Sequence, residues 1–382
     1  LAGHGFAEDN GRKGVFLSRG TNLFPLRFQG KETVMAIRVD DIESFRSVWS
    51  ILDEITGERY APLRTLMIMK CEGVSLIAVE RRGCNDFEVA PAGDVEHYAS
   101  AIESLRNRDR GGRSDETSIE KMEGLVARFR GILDPARLAD AFERSEIEYW
   151  QSRNSAARLQ AMAQDELGMG WANRDHLTFR SSRGNFHRLI RLLEVLGFEP
   201  RERFYAGDIA GWGAQIMEHP TSGTVVFADV DLAPEENSID FAHGSLPELE
   251  RQGTVGQWVA LHGESILHAG MHHMAARMDF DRARSSLLRS GVGCMDPFSD
   301  FTFLRQLFTI GETWRVDEPW LDGLRKTGHF DKTKLDEFMM SGAVGSHLEL
   351  IQRAWGFKGF NQNSVTAILN ATNPSTYQVT QA

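Results

Sequence analysis

Cysteine is scarce in this 382-residue chain: Cys71, Cys84 and Cys294 are the only three, odd in number and far apart. That usage excludes a disulfide framework and points to a reducing compartment, the cytoplasm. Long apolar runs are also missing. No stretch approaches the length that crosses a bilayer and no secretory hydrophobic region opens the chain, so neither a membrane nor export is expected. The first residue is Leu1 rather than methionine, which suggests that a short N-terminal piece is missing or removed. Positive charge is in deficit. Lys and Arg number 43 against 54 Asp and Glu, and the formal net charge of -11 argues against nucleic acid as a partner. The one basic run, Arg106 to Arg113, is broken by Asp109 and glycine and reads as a solvated loop.

What remains is an ordinary globular composition, 41% hydrophobic and 25% charged, long enough for two domains with sizeable cores. Residues 1–30 are glycine-rich and irregular. Thr33 to Val39 reads as a strand. Asp40-Asp41 caps a helix carrying Ile42, Phe45 and Val48, and two strands follow around Leu66–Met69 and Val74–Val79. Residues 1–114 are thus expected to hold a strand–helix–strand–strand module. Apolar stripes such as Met122, Leu125, Val126 and Phe129 make 115–170 a helical linker or cap. The remainder, 171–382, holds two more strand–helix units, opening at Asp175 and at His272, with a helical insertion around Trp314 to Met340. The fold class is α+β.

Near the C-terminus, Gly345-Ser346-His347-Leu348-Glu349-Leu350-Ile351-Gln352-Arg353 reads as a strand. Leu348 and Leu350 face a core and Glu349 the other side. A buried carboxylate there needs a cation, and Arg353 and a metal ion are the two candidates. Upstream, His176-Leu177-Thr178-Phe179-Arg180 and His273-Met274-Ala275-Ala276-Arg277 share the form His-x-x-x-Arg at the head of a strand. Val34 to Arg38 has the same frame with valine for histidine, a loose internal repeat. On a strand, positions i and i+4 share a face, so each histidine points with its arginine. If the two modules pair around a twofold-like axis, two imidazoles and Glu349 collect on one face. Two histidines and a carboxylate form the facial triad of non-haem Fe(II) oxygenases, which leaves positions for substrate and dioxygen. His262, His268 and His272 crowd the second position as alternatives, although strict alternation turns His272 away from His273.

At these residues the chain resembles the vicinal-oxygen-chelate superfamily, whose βαβββ modules pair into a half-open barrel around a metal. Leu348 to Arg353 followed by Gly359-Phe360 resembles the C-terminal metal-ligand motif of the 4-hydroxyphenylpyruvate dioxygenase family. The phenylalanine that stacks on the aromatic substrate there falls at about Val365, which argues against an aromatic pyruvate. The stretch from His176 through Arg203-Phe204-Tyr205 to His219-Pro220 is similar to the 2-oxoadipate dioxygenase/decarboxylase (hydroxyglutarate synthase) family, which takes an aliphatic 2-oxo acid. Both resemblances imply Fe(II) held by His176, His273 and Glu349, and oxidative decarboxylation of a 2-oxo acid by dioxygen with hydroxylation of the same molecule. The second implies that Arg180 binds a substrate carboxylate, and Arg277, at the equivalent place after His273, is a further candidate clamp for a distal carboxylate. Gln352 is a candidate if the strand end turns toward the pocket. Two other readings stand beside this one: a metal-dependent isomerase or lyase of the glyoxalase type, and a non-catalytic small-molecule-binding protein in which His268 or His272 closes the metal site. The oligomeric state is open, a homodimer being common in such folds.

Overall fold

The computed structural model describes residues 6–377 apart from 10–11, 19–25, 30–31, 85–88, 90–92, 112–115, 209, 355–356, 358, 362–367 and 369–371. Val365 therefore lies outside the described residues. The chain opens with β1 (Phe6–Asp9), β2 (Arg12–Ser18) and β3 (Leu26–Gln29), where the sequence reads as irregular. These short strands have weak patterns of their own. They pair antiparallel in series and dock through β3 on β4 (Glu32–Val39). The first module continues with α1 (Ile42–Val48), β5 (Ile55–Thr56), β6 (Leu63–Cys71) and β7 (Val74–Arg81). Asp41 caps α1, its carboxylate accepting from the Ser44 N–H at 2.7 Å.

The helical block is α2 (Val95–Arg106), α3 (Glu116–Arg130), α4 (Pro135–Ser152) and α5 (Ser155–Asp165). Helix α4 is buried on nearly every side, polar residues included. That explains a departure from the sequence reading. Arg108 and Arg110 are not solvated, because both reach the fully buried Glu146 of α4, Arg110 through two contacts of 3.1 Å.

Next comes β8 (Arg174–Arg180), α6 (Phe186–Val195), β9 (Glu199–Tyr205), β10 (Trp212–Glu218) and β11 (Val225–Asp231), followed by α7 (Thr254–His262). The last module runs β12 (His273–Arg277), α8 (Phe280–Arg289), β13 (Ser299–Phe301) and β14 (Leu304–Phe308). It then inserts β15 (Glu312–Trp314), α9 (Glu318–Thr327) and α10 (Lys332–Ser341) before β16 (Ala343–Arg353). Three times, then, the chain runs strand, helix, three strands, and each time the first strand lies parallel beside the last: β4 with β7, β8 with β11, β12 with β16.

One sheet has seven strands in the order β1-β2-β3-β4-β7-β6-β5. The other has nine, in the order β13-β14-β16-β12-β8-β11-β10-β9 with β15 on β16. Among the described residues this sheet does not close on itself, β13 and β9 standing at its two ends, as in a half-open barrel. At its centre β8 and β12 pair antiparallel, relating the two modules by a twofold-like axis. Alternation sorts the side chains. Leu177, Phe179, Met274, Leu348 and Leu350 join the main core with Phe186 and Leu189 of α6 and Phe280 of α8. Their neighbours His176, Thr178, His273 and Glu349 line a pocket on the other face. Among the described residues no helix is long and apolar enough to cross a membrane.

Candidate metal centre

Paired registers bring three side chains together. Ala275 stands opposite both His176 and Glu349, and His273 opposite Thr178. His176 Nε2 and His273 Nε2 each lie 3.2 Å from Glu349 Oε2, and all three residues are buried. Among the described residues this is the one group of three or more His, Cys, Asp and Glu side chains with metal-site geometry.

The outward atoms of these side chains are held as well. Asp175 Oδ2 lies 3.0 Å from His176 Nδ1, which fixes the tautomer with its lone pair on Nε2. His272 Nδ1 lies 3.0 Å from His273 Nδ1. With His273 Nε2 given to an ion, its Nδ1–H donates to His272. Glu349 Oε1 accepts from the Gln306 amide at 2.8 Å, which leaves Oε2 for the ion. Two imidazoles and a carboxylate with converging donor atoms, each steadied from behind, fit a divalent transition metal. Loss of the Gln306 amide in Gln306→Leu is expected to weaken metal binding by roughly ten-fold without unfolding the protein, read by competition with a chromophoric chelator.

Burial works against charge on His176, but Glu349 and Asp175 outweigh it and raise its pKa to about 9. Burial also opposes ionisation of Glu349, yet the two imidazoles bring it down to about 2. His273 is lowered, chiefly by burial. The protonated His176 therefore stabilises the metal-free fold. That contribution is complete below the ordinary value of 6.5 and is lost as pH rises through about 9. The melting temperature of chelator-treated protein should fall across that window, and His176→Gln should flatten the fall.

Several sequence expectations change here. Arg353 does not pair with Glu349; it reaches Asp175 with Nε at 2.9 Å and Nη2 at 3.0 Å. Arg277 is not a pocket residue either. A bulge between Ala275 and Ala276 breaks its register with β8, and its guanidinium pairs with Asp175 as well. Burial opposes ionisation of Asp175, but Arg277, His176 and Arg353 hold its carboxyl well below the usual range. Gln352 keeps strict alternation and faces α8, where its side-chain oxygen accepts from the Phe280 N–H at 2.9 Å. Arg180 is buried but is not among the pocket-lining residues. Its Nε lies 3.8 Å from Asp229 Oδ2 and its Nη1 donates to the Thr372 carbonyl at 3.4 Å.

His268 is exposed, and His262 Nε2 lies 2.9 Å from the Val344 carbonyl, so neither is near the ion's position. His272 precedes the first residue of β12, so alternation does not bind it. Its ring sits behind His273 rather than on the opposite face. Sequence reasoning missed Asp175 and Gln306, although Asp175 adjoins His176 and Gln306 lies in the Phe301–Ile310 stretch. A separate cleft holds Asp40, Arg144 and Arg174, but these charges pair with each other at 3.0 and 3.5 Å.

The pocket beyond the ligands is largely aromatic, with Phe204, Trp212, Phe227, Phe298, Phe308 and Phe360 in its wall. Phe360 meets His176 edge-on at 5.5 Å and Phe227 at 4.5 Å between ring centroids.

No protein-family model and no curated protein matches the chain. Distant likenesses exist among solved structures. A protein of Shewanella frigidimarina is 13% identical, with 65% of this chain and 99% of that one covered at a TM-score of 0.38. A mutant of 4-hydroxymandelate synthase from Streptomyces coelicolor is 14% identical, covering 89% and 97% at 0.36. Methylmalonyl-CoA epimerase from Mycobacterium tuberculosis is 15% identical, covering 48% and 89% at 0.27. Likenesses this remote say nothing of what the present chain binds or turns over.

Proposed function

We propose that the chain is a non-haem Fe(II)-dependent dioxygenase that oxidatively decarboxylates a 2-oxo acid and hydroxylates the same molecule to a hydroxy acid. The observation that supports this best is the convergence of His176, His273 and Glu349 on a largely aromatic pocket, with no fourth His, Cys, Asp or Glu joining them among the described residues. Three ligands on one side suit an ion that must also hold a bidentate substrate and dioxygen. When bound, Fe(II) supplies the electrons and the dioxygen chemistry.

The chain's own residues supply geometry and exclusion. Asp175 and His272 orient the two imidazoles, and Gln306 orients the carboxylate. The edge-on contacts of Phe360 with His176, and of Phe308 with His273 at 5.1 Å, keep water from the ligand atoms. A glyoxalase-type site calls for a second carboxylate beside the three ligands, and a sequestering protein for a fourth ligand closing the ion. His272 cannot be that ligand, because its near nitrogen faces His273 Nδ1 rather than the ion.

The test is oxygen uptake and CO2 release by Fe(II)-loaded protein across a panel of 2-oxo acids, with no added 2-oxoglutarate. Coupled uptake and release on a 2-oxo acid, lost in His273→Ala, is the expected result. Zn2+ or Ni2+ bound tightly with no oxygen uptake on any substrate would overturn the reading.

A further inference from the structure

The segment from Gly263 to His272 joins α7 to β12 and delivers the second metal ligand. It is neither helix nor strand, so its peptide carbonyls must find donors elsewhere. Four consecutive carbonyls find them on α4 and on the loop after α2. The Ile266 carbonyl accepts from Arg108 Nη2 at 3.2 Å and that of Leu267 from Arg110 Nη1 at 3.1 Å. The His268 carbonyl accepts from the Tyr149 hydroxyl at 2.7 Å and from Arg153, whose Nη1 also donates to the Ala269 carbonyl at 2.6 Å. At the next residue the chain turns through the left-handed region, Gly270 having a φ of +74°. A Cβ there would come within 2.8 Å of the Tyr149 ring, so the turn lies directly against α4. Met271 is fully buried, and the His272 N–H donates to the Thr178 carbonyl at 2.9 Å, at the entry to β12.

We propose that the helical block positions the metal centre: Arg108, Arg110, Tyr149 and Arg153 set where His272 and His273 enter the site by holding the four carbonyls ahead of them. Glu146 anchors the first two arginines. This rests on the reading of His176, His273 and Glu349 as metal ligands, and it extends that reading to positioning residues that touch neither ion nor substrate.

An arginine fork presents several N–H groups in one plane, and a charged donor bonds a carbonyl more strongly than a neutral one. Glu146 is fully buried and takes both Arg108 and Arg110, which holds the two guanidinium groups against their carbonyls. The Arg110 guanidinium also lies 3.6 Å over the Tyr149 ring, tying the hydroxyl donor to the same cluster. The same end of the block reaches the strand of the third ligand. Asn154 Nδ2 donates to Ser346 Oγ at 2.7 Å, three residues before Glu349 on β16. Converging ligand atoms must be held to within about 0.5 Å, so the backbone that carries them cannot drift. A segment pinned at four consecutive carbonyls fixes where the His273 backbone starts, while His272 fixes how its ring turns.

The test is titration of metal-free protein with Co(II), whose visible ligand-field absorption reads affinity and the geometry around the ion together. Tyr149→Phe removes one donor and keeps the ring over Gly270; it should bind Co(II) roughly five-fold more weakly. Arg153→Gln removes two contacts and should lose on the order of ten-fold, and the absorption bands should shift in both variants. Arg137→Gln is the control. This buried arginine ties α4 to the first module through the Tyr60 and Arg82 carbonyls, so its loss should lower the melting temperature and leave affinity and bands as in wild type. Tyr149 and Arg153 decide the question without disturbing the buried Glu146. Unchanged affinity and bands in both variants, or an equal change in Arg137→Gln, would overturn the positioning role while the metal site stands. Wild-type protein that binds no Co(II) would overturn the ligand assignment and the proposal with it.

Discussion

His176→Ala and Glu349→Gln should each lose divalent-metal binding while keeping the fold. Structural zinc sites with four ligands bind with about 10–16 kcal/mol, so one ligand of a small set is worth roughly 3–4 kcal/mol, or a hundred- to thousand-fold in affinity. The fold should survive because the groups left behind keep partners, Glu349 retaining the Gln306 amide and the His273 ring when the His176 imidazole is removed. In Glu349→Gln the side-chain oxygen can still accept from the Gln306 amide, and in His176→Ala the Asp175 carboxylate keeps both arginines. Competition with a chromophoric chelator reads the affinity, and far-ultraviolet circular dichroism reads the fold. Loss of both together would mean that these residues serve the core rather than an ion.

Asp175→Ala should produce a different pair of effects. Asp175 orients His176, so metal affinity should drop by about 10–100-fold, as for other residues that steady a ligand from behind. It also neutralises Arg353, which is 7% exposed, so the metal-free protein should lose about 3–5 kcal/mol from the uncompensated buried guanidinium. Arg277→Gln is the control. Its side chain is 35% exposed, so the ion pair it loses should cost no more than about 1 kcal/mol. Denaturant titration of chelated protein separates the stability term from metal affinity. If Asp175→Ala is as stable as Arg277→Gln, the Arg353–Asp175 pair does not carry the weight assigned to it.

The parts of this site that were legible in the sequence are those set by strand alternation. Leu348 and Leu350 flanking Glu349 revealed which face the carboxylate takes, and the matching His-x-x-x-Arg openings placed His176 and His273 in equivalent strands. Alternation also gave the correct side for Gln352. It could not give partners. Arg353, on the same strand as Glu349, is one of the two partners the sequence offers that carboxylate, a metal ion being the other. Asp175, 178 residues distant in sequence, competes for Arg353 successfully once β8 and β16 flank β12. Arg277 went astray because a one-residue bulge is invisible in a pattern of period two. The N-terminal strands β1 to β3 were missed because glycine-rich segments gain strand structure from neighbours rather than from their own periodicity. Gly345 shows the same dependence on context. A side chain there would run into the Trp314 ring, which lies against β16 from across the helical insertion.

Iron K-edge absorption spectroscopy on anaerobically Fe(II)-loaded protein tests the central claim most directly, because it reads the atoms around the ion. The structure predicts scattering from two imidazoles with otherwise oxygen ligation, and loss of one imidazole shell in His273→Ala. Sulfur in the first shell, no imidazole scattering, or an unchanged spectrum in that variant would contradict the assignment of His176, His273 and Glu349 as the metal ligands.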